Sequence, residues 1–289
     1  MTGEVLDLDR ALPEMHQVAS RLTPRSWQHP GQVSWSARYA LPEVLEHGPV
    51  LVLRVDGEPV GWAWLESPAW VEWCVDPAYD GLAEQAVAWF VDETSAATIR
   101  TSTLATEPHL VAALEAAGFV EEPDLWFSQH TLDLAGLGPV PDVPGYTFRA
   151  VRPGEHEARA ACHRASWSAT SKVSGRAYER LMATPPYRPT LDWVAVTPDG
   201  EMVASCCVWL DAASGIALVE PVGCHPEHRR RGLASAVSLA ALHAAHAEGG
   251  TTGLVRPRGD DDSPEPGRVY RGIGFLPGPR TRDWALTRS

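Results

Sequence analysis

The sequence predicts an α/β protein of two similar halves, and three features of the chain carry that expectation. Residues 216–275 read in succession as a strand, a basic turn, a helix, a second strand and a final helix with an aromatic ending. Residues 134–145 are too rich in proline and glycine to lie inside a regular element, so they read as a seam. The elements on either side of the seam repeat one another in order and in turn chemistry, the mark of an internal repeat. The expected division is a first domain over 1–135, a linker over 136–145 and a second domain over 146–289. At 289 residues, 44% hydrophobic and 21% charged, the chain is long enough for two domains with full cores.

In the first half, Val50 to Val55 and Val60 to Leu65 read as a hairpin around Asp56-Gly57, and Trp70 to Val75 as the next strand. Asp76-Pro77 then leads through Gly81-Leu82-Ala83 into a helix reaching Phe90. In the second half, Trp193 to Val196 and Val203 to Leu210 flank Asp199-Gly200, and Ile216 to Cys224 reads as a buried strand. His225-Pro226 leads through Gly232-Leu233-Ala234 into a helix from Leu233 to Ala247, and Thr252 to Arg256 closes the pattern as a strand. Ala117-Gly118-Phe119 parallels Ile273-Gly274-Phe275.

The basic turn is the most informative stretch. The first N–H groups of a helix lack partners within it and carry the positive end of its dipole, so a phosphate satisfies both deficits. Gly232 lets the backbone come close, and Arg229, Arg230 and Arg231 add guanidinium forks suited to phosphate oxygens. The turn points to a phosphorylated cofactor; a solvated turn before a closely packed helix is the plain alternative. Pro221 has no N–H to give a sheet ladder, so the strand carrying it should be bulged or locally unpaired.

Strand, Arg-x-x-Gly-x-Ala turn, helix, strand, helix and Tyr-x-x-x-Gly-Phe ending together resemble the GNAT superfamily of acetyl-CoA-dependent N-acetyltransferases. Its diphosphate loop, Gln/Arg-x-x-Gly-x-Gly/Ala, is matched by Arg229 to Ala234, and the resemblance covers about residues 146–289. It implies a mixed, mainly antiparallel sheet flanked by helices in each half. It also implies acetyl-CoA as cosubstrate, pantetheine in a gap beside the Ile216–Cys224 strand, and a tyrosine near the end, Tyr270, that protonates the departing thiolate. The cofactor residues so implied are Val222, Gly223, Cys224, Arg229, Arg230, Arg231, Gly232, Leu233, Ala234 and Ser235. The family often has an asparagine after the second strand, where this chain has Arg256 to Asp262.

Glu220, in an otherwise apolar strand, is the candidate base. Simple alternation puts it on the face of Cys224, and a buried carboxylate there would have a raised pKa and accept an amine proton. A salt-bridged structural glutamate is the competing reading. For Tyr270 the competitor is core packing.

The first half has only three residues between Pro77 and Gly81, without arginine, against five between Pro226 and Gly232; Val71 and Leu114 stand where Glu220 and Tyr270 would be. It reads as a degenerate copy serving as scaffold, lid or acceptor wall, an arrangement similar to mycothiol synthase and related two-module acetyltransferases.

The formal net charge of −13 disfavours nucleic acid, which needs a basic face, and suits a cationic acceptor. No apolar run approaches the roughly 20 residues of a membrane span, and the acidic opening lacks a signal-peptide layout, so the expected place is the cytoplasm. Cys74, Cys162, Cys206, Cys207 and Cys224 have neither even count nor Cys-x-x-Cys spacing and read as buried hydrophobes. His225/His228 and His243/His246 form His-x-x-His pairs that no further ligand completes, so no metal is expected. Trp62, Trp64, Trp70 and Trp73 read as core, with an apolar acceptor pocket as the alternative. The expected function is an N-acetyltransferase acting on the primary amine of a small molecule, as monomer or homodimer. The alternative is a non-catalytic acyl-CoA-binding or sensing protein.

Overall fold

The computed structural model describes residues 2–123, 125–168, 170–259 and 265–288. In chain order the first part comprises β1 (Thr2–Leu6), α1 (Leu8–Leu22), α2 (Pro30–Arg38), β2 (Val50–Val55), β3 (Glu58–Ser67), β4 (Trp70–Val75), α3 (Leu82–Glu93), β5 (Thr98–Leu104), α4 (Pro108–Ala116), β6 (Val120–Glu122) and β7 (His130–Asp133). The second comprises β8 (Thr147–Ala150), α5 (His156–Ser166), α6 (Gly175–Met182), β9 (Asp192–Val196), β10 (Met202–Asp211), β11 (Ile216–Cys224), α7 (Leu233–Ala247), β12 (Thr252–Val255), α8 (Glu265–Gly272) and β13 (Thr281–Thr287).

Two mixed sheets result, a seven-stranded one ordered β1-β2-β3-β4-β5-β13-β6 and a six-stranded one ordered β7-β12-β11-β10-β9-β8. In each, one pair is parallel, β4 with β5 and β11 with β12, and those strands are joined through the long helix, α3 or α7. The repeat read from the sequence is therefore a repeat of topology: β2-β3-β4-α3-β5 and β9-β10-β11-α7-β12 follow one path. Both helices open on a left-handed glycine, Gly81 (φ 78°) and Gly232 (φ 81°), with no side-chain cap.

The sheets do not divide the chain where the seam does. β7, from before the seam, pairs with β12 over Thr252↔Asp133 to Val255↔His130. The last strand, β13, lies between β5 and β6, in register with β5 from Thr281↔Leu104 to Thr287↔Thr98. Trp284 pins it there: the ring is buried in the first half's core and its Nε1 donates to Thr103 Oγ1 at 3.1 Å. Each sheet thus holds a strand from the far side of the seam.

Before β2 the chain forms a strand and two helices that the sequence reading left unassigned. Asp7 caps α1 by accepting from the Arg10 N–H, and buried Ala11, Met15, Val18 and Leu22 recur at helical spacing. That stripe covers the face of β2 and β3 made by Val50, Val52, Trp62 and Trp64. Trp62, Trp64 and Trp73 are core residues as expected, whereas Trp70 lines a cavity. Four cysteines are buried, and Cys224 is half-buried as a free thiol.

Candidate active site between the halves

β11 positions the site by breaking its own alternation. The register with β10 jumps from Cys206↔Val222 to Val208↔Val219, so Glu220 and Pro221 together oppose one residue, Cys207. This is the irregularity expected of Pro221. The bulge also overturns an expectation. Val219 packs on the α7 side of the sheet, and so do Val222 and Cys224, because the extra residue resets the parity; Cys207, opposite the bulge, packs on the other side with Trp209 and Leu218. Glu220 therefore does not share a face with Cys224, and the two line different cavities.

Beyond the bulge β11 also leaves its parallel neighbour. Pairing with β12 ends at Leu218↔Leu254, and a cavity of about 350 Å³ opens toward α7 and α8. It is lined by Val222, Gly223, Cys224, Arg229, Arg230, Gly232, Leu233, Ala234, Ser235 and Tyr270, together with Pro266 and Val269. The structure thus brings together the residues named from the sequence, except Arg231 and Glu220. Positive φ at Arg230 (59°) and Gly232 (81°) turns successive backbone N–H groups, in the manner of an anion-holding nest. Arg229 is held by its Nε donating to the Cys224 carbonyl at 3.3 Å and its Nη2 to the Ser166 carbonyl at 3.2 Å. Arg231 turns away, donating from Nη1 to the Tyr146 hydroxyl at 3.0 Å, which also bonds His228 Nδ1 at 2.8 Å. Gly223 cannot be larger, since a Cβ there would lie 2.6 Å from Ser166 Cβ.

Tyr270 is 8% exposed, edge-on to Phe275 at 5.8 Å, and its hydroxyl makes no hydrogen bond among the described residues. Burial pushes its pKa up, with Cys206 and Glu220 adding to the push, so the phenol holds its proton at neutral pH. Burial likewise raises the Glu220 carboxyl; Arg256 pulls against that rise and Glu72 supports it.

In the first half the equivalent gap is closed. β4 and β5 pair only at Trp70↔Arg100 and Val71↔Thr101 before parting. Trp73, at the position of Val222, plugs the opening: its Nε1 donates to the Ser102 carbonyl at 3.2 Å and its ring meets Phe90 edge-on at 5.7 Å.

Glu220 instead lines a larger cavity, about 620 Å³, whose walls come from both sheets. β4, β5, β13 and β6 contribute Trp70, Glu72, Arg100, Ser102, Asp283 and Glu121; Trp27, Gln32, Phe127, Glu220 and Arg256 face them. Glu72 accepts from Gln28 Nε2 at 2.6 Å and Trp70 Nε1 at 2.7 Å, and Asp283 accepts from Ser102 Oγ at 2.5 Å. Glu122 pairs with Arg100 at 3.0 Å and Glu121 with Arg282 at 2.5 Å. Of these residues the sequence reading had named Glu220, Trp70 and Arg256; the signal it passed over was a carboxylate inside an apolar strand, at Glu72 and again at Asp283 beside Trp284. Asp260, Asp261 and Asp262, named in the sequence reading, lie outside the described residues. The rings of His243 and His246 bond the carbonyls of Gly138 and Gly250, each at 2.9 Å.

Residues 156–274 match the model of the acetyltransferase (GNAT) family. The match runs from α5 to the turn after α8 and supports an acyltransferase. Over its whole length the chain is similar in fold to a tandem GNAT protein from the clavulanic acid biosynthesis pathway (TM-score 0.66, 18% identity, 99% of this chain and 98% of that one). It is also similar to a GCN5-related N-acetyltransferase from Sphaerobacter thermophilus (0.64, 18%, 99% and 95%) and to a GNAT-family acetyltransferase from Colwellia psychrerythraea (0.63, 12%, 99% and 100%). At these identities the likeness is one of architecture, two mixed sheets flanked by helices. No curated protein sequence matches the chain. No helix among the described residues is long and apolar enough to cross a membrane.

Proposed function

We propose that the protein is an acetyl-CoA-dependent N-acetyltransferase that modifies the primary amine of a small molecule. One observation carries the reading: the bulged strand β11 serves two cavities, offering Val222 to Cys224 to the one beside the arginine turn and Glu220 to the one between the halves. A donor and an acceptor lodged there would approach through the opening where β11 leaves β12. The turn at Arg229, Arg230 and Gly232 suits the diphosphate, with main-chain N–H groups and guanidinium forks on one anion. The similarity to mycothiol synthase stays one of tandem arrangement and names no acceptor.

In this reading Glu220 takes a proton from the ammonium group, directly or through water, which frees the nitrogen lone pair to form the new N–C bond. As the C–S bond breaks, Tyr270 gives its phenolic proton to the departing thiolate and regains one from the nitrogen, which sheds its second proton as the amide forms. The raised pKa of Tyr270 keeps the phenolic proton available, and the raised pKa of Glu220 brings the base nearer the working pH. The remaining advantage is orientation of amine and thioester in fixed dipoles. The test is thiol release from acetyl-CoA across a library of amines, with product mass confirming N-acetylation. Tight CoA binding with no turnover on any amine would favour a non-catalytic acyl-CoA sensor.

A further inference from the structure

Arg256 follows directly on the last residue of β12 and lines the larger cavity in an unusual state. Its guanidinium lies over the ring of Trp27, 4.3 Å from the centroid, and its Nη1 donates to Gln32 Oε1. Its Nε and Nη2 are shut from solvent and donate to nothing among the described residues. Leaving charged donors buried and unmade is costly, and such groups in native proteins call for a partner. Nε and Nη2 are one edge of the fork, the edge that grips a carboxylate or phosphate through two parallel bonds.

The neighbouring carboxyls do not supply that partner. Glu220, Glu72 and Glu107 all act on Arg256 through space, yet no hydrogen bond or ion pair joins them to it among the described residues. Two of them are engaged elsewhere, Glu72 accepting from Gln28 and Trp70 and Glu107 from the Leu104 N–H at 2.8 Å, while Glu220 lines the same cavity as Arg256 without a hydrogen bond to it. Burial pushes Glu107 up to about 7 and raises the other two, which weakens their hold on the guanidinium. A simple anion would gain little beside Glu72 and Glu220. A zwitterion gains at both ends, with its ammonium toward Glu220 and its oxyanion on Arg256.

We infer that the acceptor carries an oxyanion, a carboxylate or a phosphate, beside its reactive amine, and that the Nε–Nη2 edge of Arg256 receives it. This rests on the acetyl-transfer reading above. Gln32 holds the Nη1 corner of the guanidinium and leaves the Nε–Nη2 edge without a partner among the described residues.

The experiment compares matched acceptors: the common α-amino acids against their α-carboxamides, and glucosamine 6-phosphate against glucosamine. Thiol release gives kcat/KM, and calorimetry on the full chain with CoA present gives affinity independently of turnover. The expected result is that the best oxyanion-bearing acceptor exceeds its neutral partner by about tenfold or more, the worth of one charge-assisted hydrogen bond. The arm that shows the preference says whether the group is carboxylate or phosphate. Arg256→Gln and Arg256→Lys should both shrink the ratio toward one, the lysine keeping charge but losing the two-pronged grip, while CoA affinity reports that each variant is folded. Neutral partners equal to their oxyanion counterparts, a preference that survives Arg256→Gln in a CoA-binding variant, or absence of binding by every oxyanion-bearing probe would each overturn the inference. Failure of the acetyl-transfer reading looks different: no thiol release with any amine, while calorimetry still decides whether oxyanions bind through Arg256.

Discussion

Replacing Tyr270 by phenylalanine separates chemistry from packing more cleanly than any other single change at this site. The ring's edge-on contact with Phe275 at 5.8 Å survives, and the hydroxyl that is lost has no hydrogen-bond partner among the described residues. Tyr270 lines the cavity and its hydroxyl bonds nothing among the described residues, so removing it forfeits no bond and stability should hold to within about 1 kcal/mol. Affinity for CoA should change less than about threefold, since the substitution leaves Arg229, Arg230 and Gly232 untouched. Turnover should fall by about a hundredfold or more, the usual worth of a positioned general acid. The assay is thiol release under saturating acetyl-CoA, with Tm and CoA affinity measured on the same preparation. Unchanged kcat would return Tyr270 to the core. A fall in kcat matched by a collapse in Tm would show that the hydroxyl had a structural partner, and the argument from its isolation would fail.

Glu220→Gln should reduce kcat/KM most at low pH and recover as pH rises and free amine accumulates; a mutant-to-wild-type ratio that is flat with pH would reject the base. The same variant carries a stability signature. Because the folded pKa of Glu220 lies above its unfolded value, the native state binds the extra proton, and wild-type stability declines as pH rises through that interval; the glutamine variant should lack the decline, so its Tm advantage should grow from pH 4 toward neutrality, measured by calorimetric melting. Replacing Arg229, Arg230 and Gly232 together should weaken CoA by on the order of 3 kcal/mol, and wild type should bind one CoA per chain because Trp73 fills the gap in the first half; calorimetric stoichiometry near two, or affinity retained by the triple variant, would contradict this. Ending the chain at Arg280 removes β13 and should abolish cooperative folding of the first sheet although every residue of the arginine turn remains; a truncated chain that melts like wild type would refute the pinning role of Trp284.

What the sequence disclosed follows the range of its physics. Strands β2, β4 and β11 and helix α7 span the residues read from local pattern, because period-2 and period-3.6 burial are properties of neighbouring residues. Pro221 announced an irregularity for an equally local reason, a missing donor. The face of Glu220 was misread because alternation was carried across the irregularity that had itself been expected. Pairing partners are a different kind of information. Nothing in Thr281–Thr287 states that its neighbours are Thr98–Leu104, since alternation assigns a face and leaves the neighbour open. The larger cavity was hidden for the same reason, being assembled from positions as far apart as Trp27, Glu72, Glu220 and Asp283.

The exchange of β7 and β13 bears on how the protein comes into being. A ribosome releases the first half's strands early, but the slot between β5 and β6 stays vacant until Thr281–Thr287 emerge, leaving two bare strand edges meanwhile. The same late strand brings Asp283 to the cavity wall, so a chain that stops short lacks part of the larger cavity as well as part of a sheet. Neither half can be inherited, swapped or expressed alone without orphaning a strand of the other. The first half thus stays in place as one wall of the cavity that Glu220 and Arg256 enter from the other.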